Sequence, residues 1–236
     1  MLQVEPISRK RVKVTAKKQL KEHFKKGLQA TWPIIFMQLI QTGMLVFTLY
    51  MFYRGYVLSQ SGVSDSGADL YFSRTVSGAI ALLVSWSAKW AIIDAFQKPD
   101  RKLSWASGLQ AFSFKTFFPA FLLAFVSKIL LFFWSLLILP AIVKVFSYSQ
   151  TYYAYKMDLL FDRKQASLTD YITISRRVMS GRKRELFLLE LSFIGWHLFG
   201  LLTFGLGYIF VTPYINTCRV VYSTQVFSKA IEGVLK

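Results

Sequence analysis

The sequence predicts an all-α membrane protein: a polytopic transmembrane helical bundle of about six spans, built partly from repeated helical hairpins, with amphipathic interfacial helices. Of the 236 residues, 54% are hydrophobic and 17% are charged, whereas soluble domains carry about 25% charged residues. The apolar residues form long blocks, and the block at 186–211 contains two ionisable side chains, Glu190 and His197. Because about 20 apolar residues cross a bilayer core, this block predicts a membrane span.

The basic residues flank these apolar blocks and give a formal net charge of +17. Such a charge suits either nucleic acid or anionic lipid. Since Lys and Arg stand at the block ends, and no base-stacking motif of an RNA-binding sheet appears, we expect anionic membrane lipids as partners and no nucleic acid. Cys218 is the single cysteine of the sequence, so no intramolecular disulfide is expected.

The first predicted segment, 1–31, is a basic cytoplasmic arm. Leu20, Phe24 and Leu28 recur every four residues, which predicts an amphipathic helix lying on the inner leaflet. The alternative is a tail whose charge fixes the orientation, and the two interpretations are compatible. The arm is too long for a signal peptide, so the apolar block after it is expected to remain as a span.

The predicted transmembrane helical domain covers 32–230, followed by a short cytoplasmic tail at 231–236. Its clearest spans, before the block at 186–211, are 32–53, 76–96 and 116–139. Within the second span, Ser77, Ala81 and Ser85 form a face of small residues that permits close helix packing. Lys89 continues the same face, so it is expected to point into the bundle.

Charge in the loops sets the number of spans. The loops at 97–115 and 162–185 are basic, unlike the Ser- and Gly-rich loop at 54–74, which places both basic loops and both termini in the cytoplasm. This requires a hairpin turn at Pro140 and a span at 141–161. Gly205, Gly207 and Pro213 would then mark the turn or kink of the last hairpin. In the alternative with four spans, 141–161 and 214–230 lie in the interface.

An internal repeat supports the hairpins. Residues 103–161 and 168–230 share one order: interfacial helix, basic residue, apolar span, proline and semipolar helix. The two interfacial helices are expected within 97–115 and at 168–181, the second ending at Gly181.

Three stretches, AKKQLKEHFKKGLQATW, LPAIVKVFSYSQTYYAY and SRRVMSGRKRELFLLELSFIGWHLFGLLTFGLGYIFVTPY, resemble the bacterial integral membrane family called Domain of Unknown Function 975. The resemblance covers about 16–227. It implies a multi-pass protein of a bacterial cytoplasmic membrane and no established biochemical activity.

Ionisable side chains inside the predicted spans are the candidate functional residues. Charge at bilayer depth costs at least about 2.5–3.5 kcal/mol, so partners are expected. The hypothetical intramembrane polar site consists of Lys89, Lys128, Glu190, His197 and Arg219, with Lys144 as a further cation inside a predicted span. We predict that Lys89 and Glu190 form an ion pair, since both lie near the cytoplasmic ends of their helices.

Two functions fit these residues. The favoured one is a non-catalytic accessory or scaffold protein that packs against another membrane protein. The alternative is a transporter or lipid-handling protein that binds an anionic lipid or solute in a basic intramembrane cavity. The sequence has two histidines, no P-loop and no carboxylate pair of a hydrolase, so we expect no catalytic residues, no metal and no cofactor.

Overall fold

A computed structural model describes residues 6–53, 67–97, 103–135, 138–162 and 167–235. All regular secondary structure in these ranges is helical, as the sequence predicts. The elements are α1 (Arg9–Glu22), α2 (Phe24–Tyr53), α3 (Gly67–Gln97), a 3-10 helix (Trp105–Phe112), α4 (Phe114–Ser135), α5 (Ile138–Tyr148), α6 (Thr151–Leu160), α7 (Leu168–Val178), α8 (Lys183–Leu191), α9 (Ile194–Leu202) and α10 (Tyr208–Leu235). Most of the predicted Ser- and Gly-rich loop, the basic residues at 98–102 and residues 136–137 lie outside the described residues. Pro140, where the sequence predicts a hairpin turn, lies within α5.

Four helical segments are long and apolar enough to cross a membrane: Phe24–Phe52, Val76–Gln97, Phe114–Ser135 and Lys183–Leu202. They indicate a membrane protein. The predicted spans at 141–161 and 214–230 are not among them. A break at Ser149–Gln150 divides the first into α5 and α6, whereas α10 is 28 residues long but carries many polar side chains. The predicted count of six spans is therefore not confirmed.

Helix α3 forms the centre of the bundle. In its apolar window 56% of the residues are buried, compared with 11% in α2 and 22% in α4. Its second half buries Leu83, Trp90 and Ile93, and it packs against α2, α4, α6, α10 and the 3-10 helix. Less buried helices expose their large apolar side chains outward, as α2 does with Phe36, Ile40, Met44, Phe47 and Phe52, which suits lipid.

Helix α1, the first half of the predicted basic arm, packs against α8 and α10. Val12 and Ala16 are fully buried in a cluster that includes Leu189 of α8 and Val221 of α10. The amide of Ile7 donates a hydrogen bond to Glu185 Oε1 at 3.3 Å. The stripe that predicts an amphipathic helix, Leu20, Phe24 and Leu28, is half-buried where α1 meets α2.

The two short helices expected in the interface are fixed by hydrogen bonds. In the 3-10 helix, the amide of Ala111 donates to Ser87 Oγ of α3 at 3.1 Å. In α7, Ser175 Oγ donates to the carbonyl oxygen of Ser147 at 2.7 Å and accepts from the amide of Gln150 at 3.1 Å. Ser175 thus satisfies two backbone groups at the break between α5 and α6, which locks α7 to that break.

Helices α9 and α10 meet in a tight turn at Gly205, whose φ of +90° favours glycine. Pro213, predicted to mark this turn or a kink, lies within α10. Just before the turn, Gly200 faces the ring of Tyr208. A Cβ atom on Gly200 would lie 2.7 Å from that ring, whereas a Cβ on Gly195, in the same helix, would have nothing within 4 Å.

We therefore expect Gly200→Ala to lower the free energy of unfolding by about 1–3 kcal/mol through overpacking. Gly195→Ala is the matched control, and it should leave the free energy of unfolding unchanged or raise it by up to about 1 kcal/mol, because alanine has the higher helix propensity. Denaturant unfolding of the purified protein in detergent, followed by tryptophan fluorescence, measures both. Equal losses in the two variants would contradict the close contact between α9 and Tyr208.

Candidate functional site

A cavity of about 480 Å³ lies among α3, α4, α5, α6, α8 and α10. We call it the central cavity. Four of the five residues predicted for the polar site line it: Lys89 from α3, Lys128 from α4, Glu190 from α8 and Arg219 from α10. Glu190 is the one carboxylate among the lining residues that the structure describes. Three cations thus face one anion, which makes the cavity basic.

The ion pair in this cavity joins Glu190 to Arg219. Arg219 Nε donates to Glu190 Oε1 and Arg219 Nη2 donates to Oε2, each at 2.7 Å. This bidentate geometry uses the planar fork of the guanidinium. The prediction that Lys89 pairs with Glu190 is therefore wrong about the partner. Sequence alone did not show that α10 lies opposite α8 at this depth.

Lys89 is held by an aromatic ring instead. Its ammonium group lies 4.6 Å from the ring centroid of Tyr152, close enough for a cation–π interaction. Tyr152 is itself fixed, because its hydroxyl shares a hydrogen bond with Ser223 Oγ at 2.7 Å and its carbonyl accepts from Trp90 Nε1 at 2.9 Å. Lys89 therefore lines the cavity on the ring of Tyr152, without a carboxylate partner among the described residues.

Lys128 is the second cation of the central cavity that forms no ion pair with a described residue. Its side chain runs past Gly78 of α3, where a Cβ would lie 3.6 Å from Lys128 Cε. Polar and apolar side chains share the rest of the wall. The polar ones are Ser127, Tyr148, Ser149, Gln150, Tyr152 and Ser223, and the apolar ones are Leu82, Trp86, Leu131, Val145, Phe146 and Leu186.

His197, the fifth predicted residue, lines a neighbouring cavity of about 230 Å³ among α2, α3, α9 and α10. Arg219 lines both cavities, so it stands between them. The smaller cavity is rich in neutral polar groups, including Gln38, Gln41 and Asn216. Asn216 is 3% exposed and its side-chain oxygen has no hydrogen-bond partner among the described residues. The structure thus separates His197 from the two lysines.

The sequence did not single out a second buried ion pair. Lys156 of α6 contacts Asp94 of α3 at 2.9 Å, with side-chain exposures of 8% and 15%. Lys156 also donates to Gln110 Oε1 at 3.1 Å. Both charged residues stand inside predicted spans, and this was the signal that could have identified them, since buried charges require partners.

Metal ligands do not cluster in the described part of the chain, where no group of three or more His, Cys, Asp or Glu side chains could hold an ion.

Lys144, the further cation noted in the sequence, does not line the central cavity. Its ammonium lies 4.1 Å from the ring centroid of Trp134.

The comparison with known protein families agrees with the family resemblance seen in the sequence. No curated protein and no solved structure is detectably similar to this chain. Residues 136–230 match a family described as Protein of unknown function (DUF975). This stretch contains α5 to α9, most of α10 and both residues of the cavity ion pair, Glu190 and Arg219. The resemblance to Domain of Unknown Function 975 is therefore confirmed over residues 136–230.

Proposed function

We propose that the protein binds an anionic lipid or an anionic solute in the central cavity, as a non-catalytic lipid-handling protein or transporter of a bacterial cytoplasmic membrane. One observation carries the proposal: Lys89 and Lys128 face the cavity without a carboxylate partner among the described residues, while its one described carboxylate is already paired with Arg219. Away from bulk water, unpaired cations favour the entry of an anion.

The size and lining of the cavity support this ligand class. A volume of about 480 Å³ falls within the roughly 300–1,000 Å³ of small-molecule sites. The hydroxyl group of Tyr148 can donate to an oxygen of a phosphate or carboxylate, whereas those of Ser127 and Ser149 already donate to the carbonyl oxygens of Leu123 and Phe146. Apolar side chains such as Leu131 and Leu186 suit an attached hydrocarbon chain. An anionic lipid fits both parts of the wall.

The proposed topology has six spans with both termini in the cytoplasm. Two sets of consecutive elements support it, since a short helix, an apolar segment and a semipolar helical segment follow one another twice. The first set is the 3-10 helix, α4 and α5–α6, and the second is α7, α8–α9 and α10. The basic residues between the elements favour cytoplasmic loops. We propose that the two sets are repeated hairpins and that the short helices lie in the interface.

We expect Lys128→Gln to weaken the binding of an anionic lipid about tenfold, because one charge-assisted contact is lost. Lys115→Gln is the matched control: Lys115 belongs to the same helix but is exposed and does not line the cavity. Native mass spectrometry of the full chain, released from nanodiscs containing phosphatidylglycerol and phosphatidylcholine, measures retention of each lipid. Equal retention in both variants, or no preference for phosphatidylglycerol, would contradict the proposal.

The accessory or scaffold role is the second candidate. Ser77 and Ala81 of α3 are exposed on the described surface, so a helix of another membrane protein could pack closely against them. A stoichiometric protein partner in the same spectra, with no retained anion, would favour this role.

A further inference from the structure

A second basic cavity lies on a different face of α5 from the central cavity. It has a volume of about 590 Å³ and is lined by α5, by α7 and by the turn that leads into α8. We call it the α5–α7 cleft. Its basic residues are Lys144, Arg176, Arg177 and Lys183, and hydroxyl groups of Thr173 and Ser180 stand beside them.

No described carboxylate neutralises the charges of this cleft. No carboxylate lines it among the described residues, and none of its four cations forms an ion pair there. Arg182, in the turn between Arg177 and Lys183, shows the contrast, because it contacts Glu185 at 3.6 Å. Four like charges in one concave site repel one another, so the entry of an anion lowers the free energy of the site.

The wall of the cleft is held in place before any ligand binds. Ser175 ties α7 to the α5–α6 break through the two backbone hydrogen bonds described above. At the other side of α7, the hydroxyl of Tyr171 donates to Asp158 Oδ2 at 2.9 Å. Arg176 and Arg177 therefore project from a fixed helix, and less ordering entropy is lost on binding than at a mobile loop.

We propose that the α5–α7 cleft binds a phosphate group, carried either by a phospholipid headgroup or by a phosphorylated solute. Two arginines offer planar, bidentate donors that match phosphate oxygens. The lysines add point charges and the hydroxyls add neutral donors. A site of about 590 Å³ also has room for the group that the phosphate substitutes. This site shares no lining residue with the central cavity and does not depend on its function.

Two probes distinguish the sources of the phosphate. Inorganic phosphate is titrated calorimetrically into the full chain in phosphatidylcholine nanodiscs, and retention of phosphatidic acid is measured by native mass spectrometry from mixed nanodiscs. We expect Arg176→Gln with Arg177→Gln to weaken at least one probe about tenfold or more. Arg9→Gln with Arg11→Gln removes the same charge from exposed positions of α1 and should weaken it less than about twofold.

Each outcome has a defined meaning. A loss with inorganic phosphate identifies a site for phosphorylated solutes, and a loss with phosphatidic acid alone identifies a headgroup site. If the protein binds neither probe, the proposal is wrong. It is also wrong if both double variants lose the same amount of affinity, since net charge alone would then explain the loss. Thr173→Val with Ser180→Ala keeps every charge, so a weaker affinity in that variant confirms that the cleft itself binds.

Discussion

Lys156→Met is expected to destabilise the protein by about 3–5 kcal/mol, because it leaves the carboxylate of Asp94 buried without its counter-ion. The pair is well shielded from water, and the side chain of Lys156 is only 8% exposed. Trp90, whose ring centroid lies 5.8 Å from Lys156 Nζ, is one of the six tryptophans whose fluorescence reports unfolding. Denaturant unfolding followed by this fluorescence measures the loss in the free energy of unfolding.

The double variant Lys156→Met with Asp94→Asn serves as the control. It removes both charges, so it should be more stable than Lys156→Met alone by at least about 1 kcal/mol. If the single and double variants unfold at the same denaturant concentration, the contact between Asp94 and Lys156 does not contribute as an ion pair.

Glu190→Gln is expected to tighten the binding of phosphatidylglycerol about tenfold. The substitution removes the one described carboxylate of the central cavity and frees the guanidinium of Arg219 for a ligand. A unit charge several ångströms from the ligand, in a partly screened site, is worth on the order of 1–2 kcal/mol. Lipid titration in nanodiscs, read by native mass spectrometry, gives the affinity.

Glu185→Gln is the matched control on the same helix. Glu185 pairs with Arg182 and does not line the central cavity, so its loss should leave lipid affinity within about twofold. Weaker binding by Glu190→Gln would mean that Glu190 orients Arg219 for the ligand rather than competing with it. That result would reverse the role assigned to the carboxylate.

Local sequence was enough to predict the apolar spans. Hydropathy is read within a window of about 20 residues, and the predicted spans at 76–96 and 116–139 correspond closely to Val76–Gln97 and Phe114–Ser135. The start of α2 could not be predicted from hydropathy, because the helix begins at Phe24, before the first apolar span. The polar character of 214–230 also has a physical reason: Asn216 and Ser223 are buried against protein, where hydrogen bonds replace apolar contact.

The side chains of the cavity could be predicted, but their pairing could not. Lys89, Lys128, Glu190 and Arg219 were identifiable because charge inside a span is costly. Which carboxylate meets which cation depends on how helices distant in sequence are arranged. Glu190 and Arg219 are separated by 29 positions, and Asp94 and Lys156 by 62. No local pattern encodes these distances, so the helix packing had to be known first.

The docking of α1 has a consequence for the order in which the protein assembles. Ile7 is bonded to a residue 178 positions later, and Val12 and Ala16 pack against the last helix. At roughly 5–20 residues per second, the ribosome needs on the order of 10–35 s to make that stretch. During this interval the arm emerges without its binding surface, and its lysines and arginines are available to the headgroups of the membrane. Docking of the first helix is then a late step, which can occur only after the last helix is in place.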